Sequence, residues 1–208
     1  MEEPAQPVTA RPGGRTARTR QHVLDAVTAL LVEQGYEALT VDAVAARSGV
    51  HRTTVYRRWR DAGGLLADAL DAAREQPWEP PDTGSLAGDL GEINRQVADA
   101  LTGTPPIAAA LIAASFRSPT AARALRSFWE DRYARAAVVV HRAISRGEAT
   151  TGTDPRTVIV AACAPVFHEL VLMRAPDTED LAQRYAELAA AGTAAAGGTT
   201  AAGTAAAG

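Results

Sequence analysis

Apolar residues recur at helical spacing along most of the chain. Val23, Leu24, Val27, Leu30 and Leu31 fall at i, i+1, i+4, i+7 and i+8, which makes one face of an amphipathic helix over residues 16–34. Gly35 predicts its end, with Tyr36 placed to pack back as the apolar partner of a glycine cap. Thr40 is suited to cap a second helix reaching Ser48, and Leu39 and Val44 stand at the two positions of a hydrophobic staple. Gly49 and Val50 predict a tight turn, followed by a short third helix over His51–Arg60 with Val55 and Trp59 facing inward. Asp61 is a good cap for a fourth, Ala62–Glu75, whose inner face carries Leu65, Leu66, Ala69 and Leu70.

Three prolines between Gln76 and Gly84 interrupt the pattern and predict a break between two parts of the chain. Helices are then expected over about Ser85–Leu101 and Pro106–Phe116. A long one is capped by Ser118-Pro119 and stopped by Gly147, and two more run over about 155–174 and 178–190. Pro165 should kink the first of that last pair. Residues 1–14 are rich in Pro and Gly and read as a flexible arm, and residues 191–208 contain only Ala, Gly and Thr and read as a disordered tail. The expected fold is all-α: a three-helix unit over 15–62 and a larger helical unit over 63–190.

Composition supports helices over sheets, because aromatic residues make up 5% of the chain and alanine is abundant. The net charge of −3 does not by itself indicate a polyanion partner, but its distribution does: residues 1–60 carry nine Arg against six acids, the remainder twelve against eighteen. Cys163 is the single cysteine, so no intramolecular disulfide is possible. No secretory signal is visible, and the longest apolar run, Val158–Phe167, is shorter than a membrane span. A soluble, cytoplasmic protein is expected.

Residues 40–60, TVDAVAARSGVHRTTVYRRWR, have the form of a helix-turn-helix: two short helices joined by a glycine-containing turn, the second exposing hydrogen-bond donors and cations. The series Gly35-Tyr36, Leu39-Thr40-Val41, Val44-Ala45, Ser48-Gly49-Val50, Thr54-Val55-Tyr56, Trp59 and Leu65-Leu66 resembles the N-terminal domain of the TetR family of bacterial regulators. The resemblance covers about residues 16–70. It implies a phosphate contact at Thr40, base reading by Arg52 and Thr53, and backbone or base-edge contacts by Thr54, Tyr56 and Arg57. Arg58 is a further candidate phosphate ligand. Two departures stand out: His51 replaces the serine that commonly caps the recognition helix, and Ala62 replaces a frequent lysine. Gly63 and Gly64 weaken the same first turn or make it a hinge. Arg11, Arg15, Arg18 and Arg20 are either an arm toward phosphate or minor groove, or a solvated basic tail.

The rear helices hold no catalytic constellation and no histidine pair at metal-ligand spacing, so neither an enzyme, a cofactor nor a metal is expected. Cys163 lies in an apolar run and reads as a small buried residue. Leu125, Phe128, Trp129, Tyr133, Ala136, Val140 and Ile144 form a stripe on the long helix, most simply core. By the resemblance it would also wall a pocket for a small-molecule effector, with Phe116, Trp129, Tyr133, Phe167, His168 and Met173 as candidates. The all-round apolar run Val158–Phe167 suggests a second copy, and the family resemblance implies a homodimer through about 155–174 and 178–190. Such a dimer reads a near-palindromic operator in double-stranded DNA and is usually a repressor released by its effector. The alternative is a ligand-binding helical protein whose degenerate helix-turn-helix has little DNA affinity.

Overall fold

The computed structural model describes residues 14–176, 178 and 180–201, with side chains as far as residue 193. Nine α-helices occur among them: α1 (Gly14–Gln34), α2 (Val41–Ser48), α3 (Arg52–Arg58), α4 (Ala62–Glu75), α5 (Leu86–Thr102), α6 (Ile107–Ser115), α7 (Pro119–Arg146), α8 (Pro155–Phe167) and α9 (Leu181–Ala201). There is no strand among the described residues, so the all-α expectation holds.

The caps are where the sequence places them. Thr40 Oγ1 accepts from Ala43 N at 3.1 Å, Asp61 Oδ1 from Gly64 N at 2.8 Å, and Ser85 Oγ from Gly88 N at 3.1 Å. Each supplies an acceptor to a backbone N–H that has no partner within its own helix. Gly49 and Gly147 end α2 and α7 in the left-handed region, with φ of 68° and 78°, where a side chain would be strained. The staple also forms: Leu39 and Val44 are both buried.

Four elements depart from the expected boundaries. α3 stops at Arg58 instead of Arg60, because Trp59 leaves helical geometry as it turns into the core. α8 loses α-helical register two residues beyond Pro165, which has no N–H to give, and His168–Leu172 continue as a π turn. α9 begins at Leu181 instead of Thr178, with Thr178 O accepting from Leu181 N at 2.9 Å. It also runs to Ala201, where the sequence ends it near Ala190: alanine is the strongest helix former, and the Ala-rich stretch 191–201 extends a helix already anchored against α5. The expected arm falls almost wholly outside the described residues, and α1 starts at Gly14. Residues 202–208 of the expected tail also lie outside them.

Two main cores result. The front core joins α1–α4 through Val23, Val27, Val44, Val55, Leu65 and Leu66, and takes in Leu111 and Ala114 of α6 and Ala121 of α7. α4, divided from the front unit after residue 62 in the sequence reading, thus belongs to its core. The rear core packs α5, α7, α8 and α9 around Leu90, Val139, Val140, Ile159 and Ala162. α4 packs along α7, and at Gly63 the approach is closest: a methyl group there would lie 2.3 Å from Ser118 Oγ at the start of α7, so the glycine permits it.

Candidate nucleic-acid interface and effector cavity

Val55 and Trp59 are both buried and fix the inner face of α3. The outer face then presents Arg52, Thr53, Tyr56, Arg57 and Arg58 to solvent, with Thr54 half-buried and Thr40 exposed at the start of α2. All seven residues expected to meet DNA are therefore exposed or half-buried within the helix-turn-helix. They are not equally free. Arg52 Nε lies 2.7 Å from Asp42 Oδ1, and its guanidinium sits over the Tyr56 ring at 5.2 Å. Arg58 stacks on Trp59 at 5.1 Å and reaches Asp68 at 3.5 Å. Thr53 Oγ1 shares a 2.9 Å hydrogen bond with His51 Nδ1, and Thr40 Oγ1 is engaged as a cap. Arg57 is exposed and has no ion-pair partner among the described residues. His51 gives α3 no side-chain cap; its backbone carbonyl alone accepts from Thr54 and Val55 N–H.

Asp68, which the sequence reading did not single out, holds this surface to the body. Its Oδ1 accepts from Arg20 Nε at 2.9 Å and Nη2 at 2.8 Å, and its Oδ2 accepts from Trp59 Nε1 at 2.8 Å. Arg20 also pairs with Glu75 at 2.8 Å, and these two carboxylates push its pKa up. The expectation of Arg20 as part of a basic arm is therefore corrected: it is spent tying α1 to α4. A carboxylate that gathers donors from α1 and α3 onto α4 fixes the angle at which α3 is offered. In the sequence it was one of three acids, with Asp71 and Glu75, at helical spacing along one side of α4, and nothing local marked it out.

The rear unit encloses a cavity of about 310 Å³ between α4, α5, α6, α7 and α8. Trp129, Tyr133 and Phe167 line it, and Trp129 packs edge-on against Phe167 with ring centroids 5.1 Å apart. The other three candidates lie elsewhere. Phe116 is 81% exposed at the end of α6, and His168 and Met173 are exposed at the start of the π turn and just beyond it, His168 lying opposite the buried face of α8. The wall instead recruits Trp78, Leu111, Phe128, Arg132 and Cys163. Burial pushes the Cys163 thiol up to about 12, so it lines the wall as an unionised side chain. Trp78 comes from the proline-rich connection and Leu111 from α6, contributions that no helical period could signal.

No cluster of His, Cys, Asp or Glu suited to a metal occurs among the described residues. The π turn lengthens the apolar run of α8 to 18 residues, Pro155–Leu172, and only 28% of that stretch is buried within the single chain.

A helix-turn-helix surface in front of a helical unit with an apolar cavity defines a DNA-binding regulator. Residues 23–69 match the family of bacterial regulatory proteins of the tetR type, and residues 80–189 match the tetracyclin repressor-like C-terminal domain. The chain belongs to the TetR family of transcriptional regulators. It is 37% identical to the HTH-type transcriptional regulator AqdR of Rhodococcus erythropolis over 70% of this chain and 71% of that one. With the DNA-binding transcriptional repressor TetR of Mycobacteroides abscessus it shares 34% identity over 74% of this chain and 83% of the other. The solved TetR family regulator SCO0332 superposes with a TM-score of 0.62 at 28% identity, covering 84% of this chain and 98% of that one.

Proposed function

We propose that this protein is a homodimeric repressor that occupies a near-palindromic operator in the cytoplasm and leaves it when a small molecule fills the rear cavity. The observation that carries DNA reading is the α3 surface. Arg57 is exposed without an ion-pair partner, beside Tyr56 and Arg52, on a helix pinned from behind by Val55, Trp59 and Asp68. Arg and Tyr at such positions place donors against phosphate and base edges, phosphate contacts supplying affinity and base contacts discrimination. Thr40 would give a phosphate contact, Arg52, Thr53, Thr54 and Arg57 contacts to bases or backbone, and Arg58 a flanking one.

Dimerisation is supported by what one copy leaves uncovered. Ala161, Ala164 and Leu172 on α8 and its π turn are exposed, as are Leu188 and Ala191 on α9, with Leu172 at 74% and Leu188 at 68%. A twofold pairing of these helices would bury them and set two α3 helices toward successive major grooves. Nothing in this function requires turnover, and the thiol of Cys163 in the cavity wall carries no catalytic assignment.

The test is binding of wild type and the Tyr56→Ala/Arg57→Ala double variant to DNA flanking the protein's own gene, across a salt series. Wild type should bind one fragment tightly with steep salt dependence, and the variant should lose at least about tenfold, since a good base contact is worth about 1–3 kcal/mol. Equal, weak binding of both proteins to every fragment would favour the reading with a degenerate helix-turn-helix.

A further inference from the structure

The cavity wall is apolar except at one end, where the polar groups are not equivalent. Trp78 Nε1 donates to Gln96 Oε1 at 2.8 Å, and Gln96 Nε2 donates in turn to Glu92 Oε1 at 2.9 Å. That chain of donors and acceptors is internally satisfied. Arg132 is not. Its guanidinium lies beside two aromatic rings, 5.1 Å from the Trp78 centroid and 5.2 Å from that of Phe128. Its Nη2 makes one long hydrogen bond, 3.4 Å, to Ala73 O in the last turn of α4. Its Nη1 is buried and has no protein acceptor.

The charge is only partly compensated, by Asp131 at a distance. Arg132 makes no ion pair among the described residues. The adjacent acid, Asp131, lies 2.9 Å from Arg135 Nε, and Arg135 itself adds a second positive charge nearby. Burial first, then Arg135, lower the Arg132 pKa against the opposing pull of Asp131, the direction expected of a cation whose counter-charge is incomplete. A buried N–H without an acceptor on a cation is costly, and the two aromatic rings beside the guanidinium offer it no conventional hydrogen-bond acceptor.

We propose that the effector is a small organic acid, with a single carboxylate read by the edge of Arg132 and an apolar ring or chain seated against Trp129, Tyr133 and Phe167. This rests on the reading of the cavity as an effector site and specifies the chemistry it accepts. A carboxylate supplies the planar pair of acceptors that the guanidinium edge matches, and it neutralises the charge that Asp131 does not. The apolar remainder replaces water against a wall that offers it no partners. Because Arg132 also touches the last turn of α4, capture of the acid acts on the helix that carries the DNA-reading unit.

Matched pairs of probes test this: naphthalene-2-carboxylate against its amide, and 4-phenylbutyrate against its amide. Binding to the full-length protein is followed by quenching of tryptophan fluorescence, since Trp78 and Trp129 line the cavity, and by thermal shift. Wild type should prefer each acid over its amide by about 10- to 100-fold, the range of a charge-assisted hydrogen bond in a partly buried site. Arg132→Gln should abolish that preference while still binding the amides. Arg132→Lys, which keeps the charge and loses the fork, should keep a reduced preference, and it serves if the glutamine variant does not fold. Amides that bind wild type as well as the acids do would overturn the role of Arg132 and leave the effector cavity standing. An acid preference that persists in Arg132→Gln would overturn it equally. If neither acids nor amides perturb the fluorescence or the melting temperature of wild type, the cavity fails as an effector site for these molecules and the proposal falls with it.

Discussion

The front and rear units treat their buried polar groups differently. In front, Asp68 gathers donors from Arg20 and Trp59 on both of its oxygens, and no buried side-chain polar atom among the described residues there lacks a partner. In the rear, Asn94 Oδ1 and Arg132 Nη1 are buried without a hydrogen-bond partner, and buried Asp89 Oδ2 has only Arg146 at 4.0 Å. Full satisfaction rigidifies a site, whereas unmet capacity stores a cost that a bound group can relieve. The front unit is thus internally complete, with its business on the outer face of α3. The rear unit is built to be completed.

If that contrast is right, removing a rear polar group should damage packing without touching DNA recognition directly. Asn94 is fully buried in α5, and its Nδ2 donates to Ala162 O of α8 and Ala182 O of α9, both at 3.0 Å. Asn94→Ala loses both bonds and opens a void, for an expected loss of about 2–4 kcal/mol. Urea unfolding measures it, and a loss below about 1 kcal/mol would show that these bonds contribute little beyond the packing around them.

Asp68 offers the matching change in front. Asp68→Asn keeps the shape but removes the charge that binds Arg20, so unfolding free energy should fall by about 1.5–3 kcal/mol, at the lower end because the pair is partly solvated. Specific DNA affinity should fall more than this instability alone explains, because α3 loses a fixed seat. Affinity equal to wild type in protein shown to be folded by circular dichroism would mean that Val55 and Trp59 suffice to position α3.

A smaller effect should come from pH. Glu148 Oε2 accepts from Leu86 N–H at 2.6 Å and pairs with Arg146, and the backbone donor first, then the guanidinium, holds its carboxyl below the usual range. A carboxyl that is more acidic in the folded chain binds fewer protons there than in the unfolded one. Its stabilisation is present above the ordinary glutamate value of about 4.3 and is lost as pH falls through the lower, folded value. Glu148→Gln should flatten the acid limb of the stability profile with little change near neutrality. Parallel acid limbs in variant and wild type would assign that limb to other carboxylates.

Sequence legibility follows the same front-to-rear gradient. The front helices and their caps were readable because each signal is local. Thr40 serves a residue three positions on, Leu39 meets Val44, and Val23, Val27, Leu30 and Leu31 share one face of one helix. In the rear, half of the cavity residues named from the stripe and its neighbours lie elsewhere. His168 lies opposite the buried face of α8, Met173 follows the π turn and is exposed, and Phe116 falls just past the end of α6. Trp78 reaches the cavity from a segment with no periodicity at all.

By itself the sequence determined that the chain is helical, where its DNA-reading helix lies, and which family it resembles, because helix periodicity, capping and turn chemistry act within a few residues. Only the tertiary structure decided what each arginine is for. Arg20 is claimed by Asp68, Arg52 is shared with Asp42, Arg57 is left exposed without an ion-pair partner among the described residues, and Arg132 stands without an ion pair beside Trp78 and Phe128. Arginines that are alike in sequence are distinguished by neighbours brought from distant segments, and whether a charge is paired, exposed or buried depends on those neighbours.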